Sequence, residues 1–223
     1  RLGRPLIDVR ALGRVCVNGS SELVSNLSMS LVSMVYNFQL MAYIGPDGVA
    51  IYGVIQYVAW IAVSLLMGFT VGSSPIISYH YGAKNSAELK SLFRTCLGVM
   101  VAGGVLITVL THLFAHPLAV VFVGYDPVLC EMTVAALGEY SLAFIFVGVS
   151  IFGSAFFTAL NNGLVSALIS FLRTLVFECA AVMFLPAIIG VDGIWLSIVV
   201  AEIASMFLTG GFLVGLRKHY DYA

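Results

Sequence analysis

Long apolar runs separated by short polar breaks dominate this chain. Six of them reach the roughly 20 residues that a helix needs to cross the hydrocarbon core of a bilayer. They lie at residues 22–44, 49–77, 92–113, 135–160, 164–188 and 193–216. None alternates apolar and polar residues as a transmembrane β-strand does. The pattern therefore predicts an all-α membrane protein, a six-transmembrane-helix bundle whose second helix is long enough to tilt or to break near Pro75.

Composition strengthens this prediction. Hydrophobic residues make up 61% of the chain, charged residues 9%, and the mean hydropathy is +1.05. A soluble domain carries about 25% charged residues, so this chain has too few charges to cover a surface that faces water. We expect the lipid bilayer to surround it. The net charge of -1 gives no reason to expect nucleic acid as a partner.

The lysines and arginines outside the apolar runs predict the orientation. They precede the first run, separate the second from the third, and follow the sixth. If the helices alternate in direction, all of these residues lie on one side. The segments on the other side, 45–48, 112–134 and 189–192, contain neither Lys nor Arg. The positive-inside rule then places both ends of the chain in the cytoplasm, as in a multi-pass protein of the plasma membrane.

The connections carry local signals. Segments 44–49 and 189–194 share the pattern I-G-x-D-G-[VI], in which glycine can end one helix in the left-handed conformation and aspartate can cap the next. Segment 85–93 opens with a capping-box character and predicts a short cytoplasmic surface helix. Residues 6–17 predict an interfacial helix, and residues 112–134 predict a loop with one short helix.

Polar residues recur inside the apolar runs. They form the sets Glu22, Asn26, Ser30, Ser33 and Asn37; Tyr52, Gln56, Tyr57 and Trp60; Ser150, Ser154, Thr158 and Asn161; and Ser166, Ser170, Thr174 and Glu178. The first, third and fourth sets each follow one face of a helix. Helix packing is the simpler interpretation for any single Ser or Thr. The amides of Asn37 and Gln56 are costly to leave in lipid and favour the alternative, a water-filled cleft.

Three ionisable residues, Arg173, Glu178 and Glu202, lie well inside predicted spans, where charge is costly. Counted from the outer ends of their spans, the two carboxylates share a depth of roughly 14–15 Å. One interpretation is a buried Arg–Glu pair that holds the fifth and sixth helices together. The other is a carboxylate left free to bind Na⁺ or a proton. Glu139, near the outer end of the fourth span, is a second candidate for that role.

Enzymatic chemistry finds little support. The four cysteines form no C-x-x-C motif, and the four histidines lie at or beyond helix ends without a metal-ligand partner at helical spacing. The segment around Ser150 superficially resembles the G-x-S-x of rhomboid-type intramembrane proteases, but the sixth span lacks the histidine base that such a serine needs. No Walker A motif is present to bind ATP. We therefore expect a protein that is not an enzyme and needs no cofactor beyond a coupling ion.

A distinctive run at 68–84 reads G-F-T-V-G-S-S-P-I-I-S-Y-H-Y-G-A-K. It closely resembles the end of the eighth helix and the following loop of multidrug and toxic compound extrusion (MATE) transporters. Further similarity follows in the family's order over nearly the whole chain, at 36–37 (YN), 48–54 (GVAIYGV), 172–173 (LR), 185–186 (LP), 190–195 (GVDGIW) and 201–202 (AE). On these motifs the chain is identified as a member of this family.

The resemblance implies twelve helices in two six-helix lobes, related by a pseudo-two-fold axis along the membrane normal. This chain resembles the C-terminal lobe, helices 7–12. Residues 1–21 are then the cytoplasmic or interfacial inter-lobe segment, 22–216 the transmembrane lobe and 217–223 a cytoplasmic tail. The missing initiator Met fits a half-transporter, and the N-terminal lobe of the same transporter is the expected partner.

The resemblance also implies a function. Family members are antiporters that export drugs and toxic organic compounds, often cationic, in exchange for H⁺ or Na⁺ by alternating access. Some carry cation-site carboxylates in the seventh and tenth helices, where this chain reads LSMS at 27–30 and GVS at 148–150. Coupling would then rest on Glu178 or Glu202, with Arg173 orienting or neutralising one of them, or on the other lobe. The residues expected to line the substrate cleft are Asn37, Gln56, Tyr57 and Glu139.

Two alternatives remain open. A lipid-linked oligosaccharide flippase of the same superfamily would need a more cationic cavity to meet phosphate, and Arg173 alone offers positive charge deep inside the spans. An intramembrane protease would need a reactive Ser150.

Overall fold

The computed structural model describes residues 9–222, and helices account for nearly all of that range. In chain order they are α1 (Val9–Tyr43), α2 (Pro46–Gly82), α3 (Ser86–Val123), α4 (Pro127–Ser141), α5 (Phe144–Ala159), α6 (Gly163–Phe171), α7 (Cys179–Ile189), α8 (Asp192–Gly215) and α9 (Arg217–Tyr220). A π-helical segment, Leu172–Glu178, joins α6 to α7. The start of the predicted interfacial helix (residues 6–8) and the side chain of Glu22 lie outside the described part.

The helices have the length and polarity of membrane spans. Among the described residues, four helical stretches are long and apolar enough to cross a bilayer: α2, α3, the stretch from α6 through α7, and α8. The pair α4–α5, bent by 45°, makes a fifth if it forms one broken span. The first predicted span lies within α1, which is less apolar because polar residues recur along it. The chain is an all-α, multi-pass membrane protein.

Two segments expected to be separate pieces belong to long helices. The side chain of Asn85 accepts a hydrogen bond from the backbone N–H of Glu88 (3.3 Å) at the start of α3. From there α3 runs unbroken to Val123, so the prediction of a separate surface helix over 85–93 was wrong. The reason is that Leu89 is buried against the core, which continues the helix past its polar first turn.

Segment 112–134 is helical rather than a loop. Pro117 lies inside α3, and α4 begins at Pro127, with the Asp126 side chain accepting hydrogen bonds from two backbone N–H groups (2.9 and 3.2 Å). Only residues 124–126 interrupt the helices. Pro75 likewise lies inside α2 without ending it. Membrane helices tolerate such prolines because neighbouring groups take up the freed backbone carbonyl.

The repeated glycine–aspartate pattern does mark two tight turns. Gly45 and Gly190 have φ of 89° and 73° with ψ of -155° and -145°, a region that only glycine readily occupies. The prediction of an aspartate cap was wrong, because Asp47 and Asp192 lie inside the first turn and make no capping bond. A Cβ on Gly193 would lie 2.7 Å from the backbone of Leu185, which explains the second glycine of that turn.

Helix α5 lies at the centre of the bundle, in contact with α2, α3, α6 and α8. Glycines permit the closest of these contacts: a Cβ on Gly148 would lie 2.8 Å from the carbonyl oxygen of Met100 in α3. Phe152 and Phe156 of α5 are buried in the core. This central position lets the polar residues of α5 face several neighbours at once.

The C-terminal tail packs back onto the bundle. Tyr222 is fully buried, its hydroxyl donates to the carbonyl oxygen of Leu213 (2.7 Å), and its ring lies against Phe156 (4.9 Å between centroids). The carboxylate of Asp221 forms an ion pair with Lys90 Nζ at 3.0 Å. The ends of α2 and α8 and the start of α3 therefore meet at one end of the molecule, which we call the basic end.

Candidate functional site

A cavity of about 550 Å³ opens along one side of the bundle. Its wall comes from α1, α2, α4, α5, α6, the π-helical segment and α8. The volume falls within the range of small-molecule sites, which combine a mostly apolar wall with a few placed polar groups. Apart from Tyr52, Trp60 and Tyr140, which are polar only at one atom, the polar or charged residues on this wall are Asn26, Gln56, Thr70, Ser74, Ser78, Ser154, Thr158, Ser170, Arg173, Thr174, Glu178 and Glu202.

One region of the wall carries charge. Arg173 Nε donates to Glu202 Oε1 at 2.7 Å, and the Glu202 side chain is almost completely buried while that of Arg173 is 23% exposed. Glu178 lines the same cavity. Two carboxyl groups and one guanidinium thus lie on the same cavity wall, on the π-helical segment and α8. The sequence predicted the three residues as a group, and the interpretation of a buried Arg–Glu pair is confirmed. The role of a carboxylate in binding Na⁺ or a proton stays a prediction.

The π-helical segment explains how Arg173 and Glu178 share this wall. The two residues are five positions apart, a spacing that places them on different faces of a regular α-helix. In a π-helix the bonding runs from residue i to i+5, so residues five apart lie nearly one above the other. The segment Leu172–Glu178 contains both residues. Short π-helical stretches are frequent at functional sites, and the 3.6-residue period gave no sign of this one.

The polar residues that α5 presents to α6 form a fully bonded cluster. The Thr158 hydroxyl donates to Ser166 Oγ at 2.7 Å, and Ser154 Oγ lies 2.8 Å from Ser166 Oγ and 3.0 Å from Ser170 Oγ. We call these four residues the serine–threonine cluster. It joins the two stripes predicted on the fourth and fifth spans, and its contacts fit the helix-packing interpretation.

The polar residues between α5 and α8 behave differently. Ser150 of α5 lies beside the Glu202 carboxylate, and Ser205 and Thr209 follow along α8. All four are at most 1% exposed. Yet Ser150 Oγ, Glu202 Oε2, Ser205 Oγ and Thr209 Oγ1 have no hydrogen-bond partner among the described residues. We call these four residues the α5–α8 row. Its spacing on α8, at i, i+3 and i+7, is visible in the sequence but was not recognised there.

The predicted cleft residues separate into two groups. Gln56 lies on the cavity wall, where its side-chain amide donates to the hydroxyl of Tyr52 (2.5 Å). Three others are not among the lining residues. Asn37 donates to the backbone of Ser33 (2.8 Å), and Tyr57 is 57% exposed and stacks on Phe122. The Glu139 carboxylate is partly buried in α4.

The cysteines and histidines show no catalytic or metal-binding arrangement within the described residues. All four cysteines are free thiols. Within residues 9–222 no three His, Cys, Asp or Glu side chains come together as metal ligands. Ser150 lies beside a carboxylate, and the imidazole of His112 is bonded to Ser141 at 3.0 Å instead.

Comparison with known proteins identifies the lineage. The model of the MatE family matches residues 23–182. The chain belongs to the MatE family. Its members are transporters, which agrees with the expectation that the chain is not an enzyme. A protein from Pseudomonas savastanoi, described as an uncharacterized 21 kDa protein in the iaaL 5′ region, is 29% identical to this MatE chain over 115 residues, covering 52% of the chain and 37% of that protein.

Solved MATE structures share the fold. The Vibrio cholerae MATE transporter VcmN in the bent form matches with a TM-score of 0.87 and 20% identity, over 98% of this chain and 50% of its own. An outward-facing multidrug resistance MATE transporter of the MOP superfamily matches with a TM-score of 0.87 and 20% identity, over 99% and 49%. This MatE chain therefore spans about half the length of those transporters and has the fold of one lobe.

Proposed function

We propose that this chain is the C-terminal lobe of a secondary antiporter that exports toxic organic compounds, often cationic, in exchange for H⁺ or Na⁺. The observation that carries the proposal is the meeting of Glu178, Glu202 and Arg173 on the wall of the 550 Å³ cavity. Charges at such depth in a membrane protein mark ion or substrate pathways. Two carboxyl groups to one guanidinium leave one carboxyl group that can take up a cation or a proton.

The wall outside this charged region suits an amphipathic substrate. Trp60, Met67 and Phe144 contribute apolar area, and Gln56 contributes an amide held by Tyr52. A cation or proton at the carboxylates would compete with a cationic substrate for the same negative charge. Such competition couples two fluxes in opposite directions when the N-terminal lobe closes the cavity on alternate sides. We place both ends of the chain in the cytoplasm and the transporter in the plasma membrane.

The flippase alternative fits the cavity less well. A lipid-linked oligosaccharide carries phosphate, which is recognised by several Arg or Lys side chains. The one cationic side chain that the described residues place on this wall is Arg173, and its Nε is already bonded to Glu202.

The test is transport by the complete transporter in proteoliposomes, with ethidium as substrate and either a pH or a Na⁺ gradient imposed. We expect Glu178→Gln or Glu202→Gln to abolish gradient-driven ethidium uptake, and the gradient that drives the wild type names the coupling ion. Glu131→Gln, which alters an exposed carboxylate of α4, is the matched control and should transport normally. Unchanged gradient-driven transport in both cavity variants would refute the coupling role.

A further inference from the structure

The α5–α8 row is a buried line of polar atoms that leads away from the cavity. It begins at Glu202, which lines the cavity, and continues through Ser205 and Thr209 on one face of α8. Seven residues of helix carry it about 10 Å along the axis. One turn beyond Thr209, the carbonyl oxygen of Leu213 accepts the hydroxyl of Tyr222. Polar groups therefore extend from the cavity carboxylate to the basic end.

Leaving these atoms without partners has a cost. A buried hydroxyl without a hydrogen bond destabilises the fold, and the row has three hydroxyls and a carboxylate oxygen. A helix offers an easy remedy, because a Ser or Thr hydroxyl can donate to the carbonyl four residues earlier. The equally buried Thr133 does this at 2.7 Å, and so does Ser197 of α8. Ser205 and Thr209 do not, and their hydroxyls remain available to another partner.

The facing helix α5 comes close to the row. Gly153 of α5 stands opposite Thr209, where a Cβ would overlap the threonine methyl group. Ser150, one turn earlier on α5, stands beside Glu202. The contact between the two helices is thus lined by small residues and hydroxyls, and buried hydroxyls of this kind are the usual partners of ordered water.

We propose that Ser150, Ser205 and Thr209 hold ordered water between α5 and α8, and that this row carries protons between Glu202 and the basic end. The proposal rests on the proposed function, because it assigns to protons a route apart from the substrate cavity. Each hydroxyl or water accepts a proton on one side and releases one on the other. One proton thus leaves or reaches Glu202 without any other bond being made or broken.

Other ionisable groups surround the cavity end of the row. Arg173 and Glu178 face Glu202 from the π-helical segment, and Tyr140 faces it from α4. Tyr36 of α1, Tyr52 of α2 and Cys179 of α7 lie around Glu178. A proton delivered to Glu202 releases Arg173, whose guanidinium can then neutralise Glu178. The row would in this way couple proton arrival to a change of charge on the cavity wall.

The test follows proton exchange at Glu202 in the complete, reconstituted transporter by infrared spectroscopy. Transfer from H₂O to D₂O shifts the carboxylic C=O band, and the Glu202 component is the one missing in Glu202→Gln. The double variant Ser205→Ala/Thr209→Val should slow this shift at least about tenfold, which corresponds to roughly 1.4 kcal/mol on the barrier. Ser197→Ala/Thr133→Val, which removes two satisfied hydroxyls, should exchange as fast as the wild type.

A second pair of variants narrows the route without removing a hydroxyl. Gly153→Ala should also slow exchange, whereas Gly210→Ala, whose Cβ would enter open space, should not. Equal exchange rates in the test and control variants, or a Glu202 band that never responds to D₂O between pH 4 and pH 9, would overturn the proposal. Exchange is measured without substrate or gradient. Slow exchange in the variants of a protein that fails to transport ethidium would therefore contradict the proposed function and leave the route supported.

Discussion

Helix α5 presents hydroxyl groups to two neighbours, and the two contacts differ in kind. Toward α6, the hydroxyls of Ser154 and Thr158 are bonded within the serine–threonine cluster. Toward α8, the hydroxyl of Ser150 faces the α5–α8 row, in which four buried polar atoms have no partner among the described residues. Residue type and helical spacing are the same in both. The two contacts differ in whether the facing helix completes the hydrogen bonds. Where it does, the hydroxyls hold two helices together, and where it does not, they are candidates for a proton pathway.

The largest loss of stability should come from breaking the ion pair between Arg173 and Glu202, at the cavity end of the α5–α8 row. Arg173→Met would leave the buried Glu202 carboxylate without its charge partner, a loss that costs about 3 kcal/mol or more. Thermal unfolding of the purified transporter, followed by tryptophan fluorescence, should show a clear fall in the midpoint. The double variant Arg173→Met/Glu202→Leu should recover most of it. A midpoint equal to that of Arg94→Met, which removes an exposed arginine, would mean that the pair is not essential to stability.

A smaller loss should follow from opening the serine–threonine cluster. Ser166 bonds both Ser154 and Thr158, so Ser166→Ala removes two contacts at once. Hydrogen bonds between membrane helices average about 0.6 kcal/mol, with a maximum near 1.7. We expect destabilisation of about 1 kcal/mol in the same unfolding experiment, with gradient-driven transport retained. A transport defect without loss of stability would show that this cluster belongs to the pathway, which would erase the contrast with the row.

Removing a hydroxyl from the α5–α8 row should reduce transport while leaving the stability almost unchanged. Ser205→Ala deletes a hydroxyl whose proposed partner is water rather than another described residue. The released water regains its hydrogen bonds in bulk solvent, so the free energy of unfolding should change by less than about 0.5 kcal/mol. Gradient-driven ethidium uptake should nevertheless fall. If Ser205→Ala destabilised the protein as much as Ser166→Ala does, the Ser205 hydroxyl would be bonded to its own helix after all.

The sequence carried much of this picture. The apolar runs predicted the helical membrane fold, and the depth of Arg173, Glu178 and Glu202 predicted that they meet. Two features depended on information that periodicity does not hold. The π-helical segment changes the angular relation of Arg173 to Glu178 within one helix. The helix that a stripe faces decides its bonding: Ser150 and Ser154 belong to one stripe in the sequence, yet they face α8 and α6 respectively.

The predictions of a separate surface helix at 85–93 and of a loop at 112–134 failed for a different physical reason. The segments 85–93 and 112–134 contain polar residues and Pro117, which in water would favour turns. In a membrane protein the helix continues wherever its backbone bonds would otherwise be lost to lipid. Conversely, the tight turns at Gly45 and Gly190 were predicted correctly as turns. A backbone with positive φ favours glycine at that position, and this local preference is visible in the sequence.

The smallest change in the unfolding midpoint should come from removing the exposed ion pair between Asp221 and Lys90 at the basic end. A hydrogen bond with Ser86, followed in size by the hydrogen bond and charge of Lys90, holds the pKa of Asp221 below its ordinary value. A depressed carboxylate pKa stabilises the fold above the pKa of the unfolded chain, about 3.9, and the contribution disappears as the pH falls through the lower folded value. Asp221→Asn should therefore lower the unfolding midpoint slightly at pH 7 in low salt. The difference from the wild type should therefore shrink as the pH falls below about 3.9. It should also vanish in 1 M NaCl, because exposed pairs are screened. A difference that survives 1 M NaCl at pH 7 would mean that Asp221 acts by positioning the buried Tyr222 rather than by its charge, and would tie the tail to the far end of the α5–α8 row.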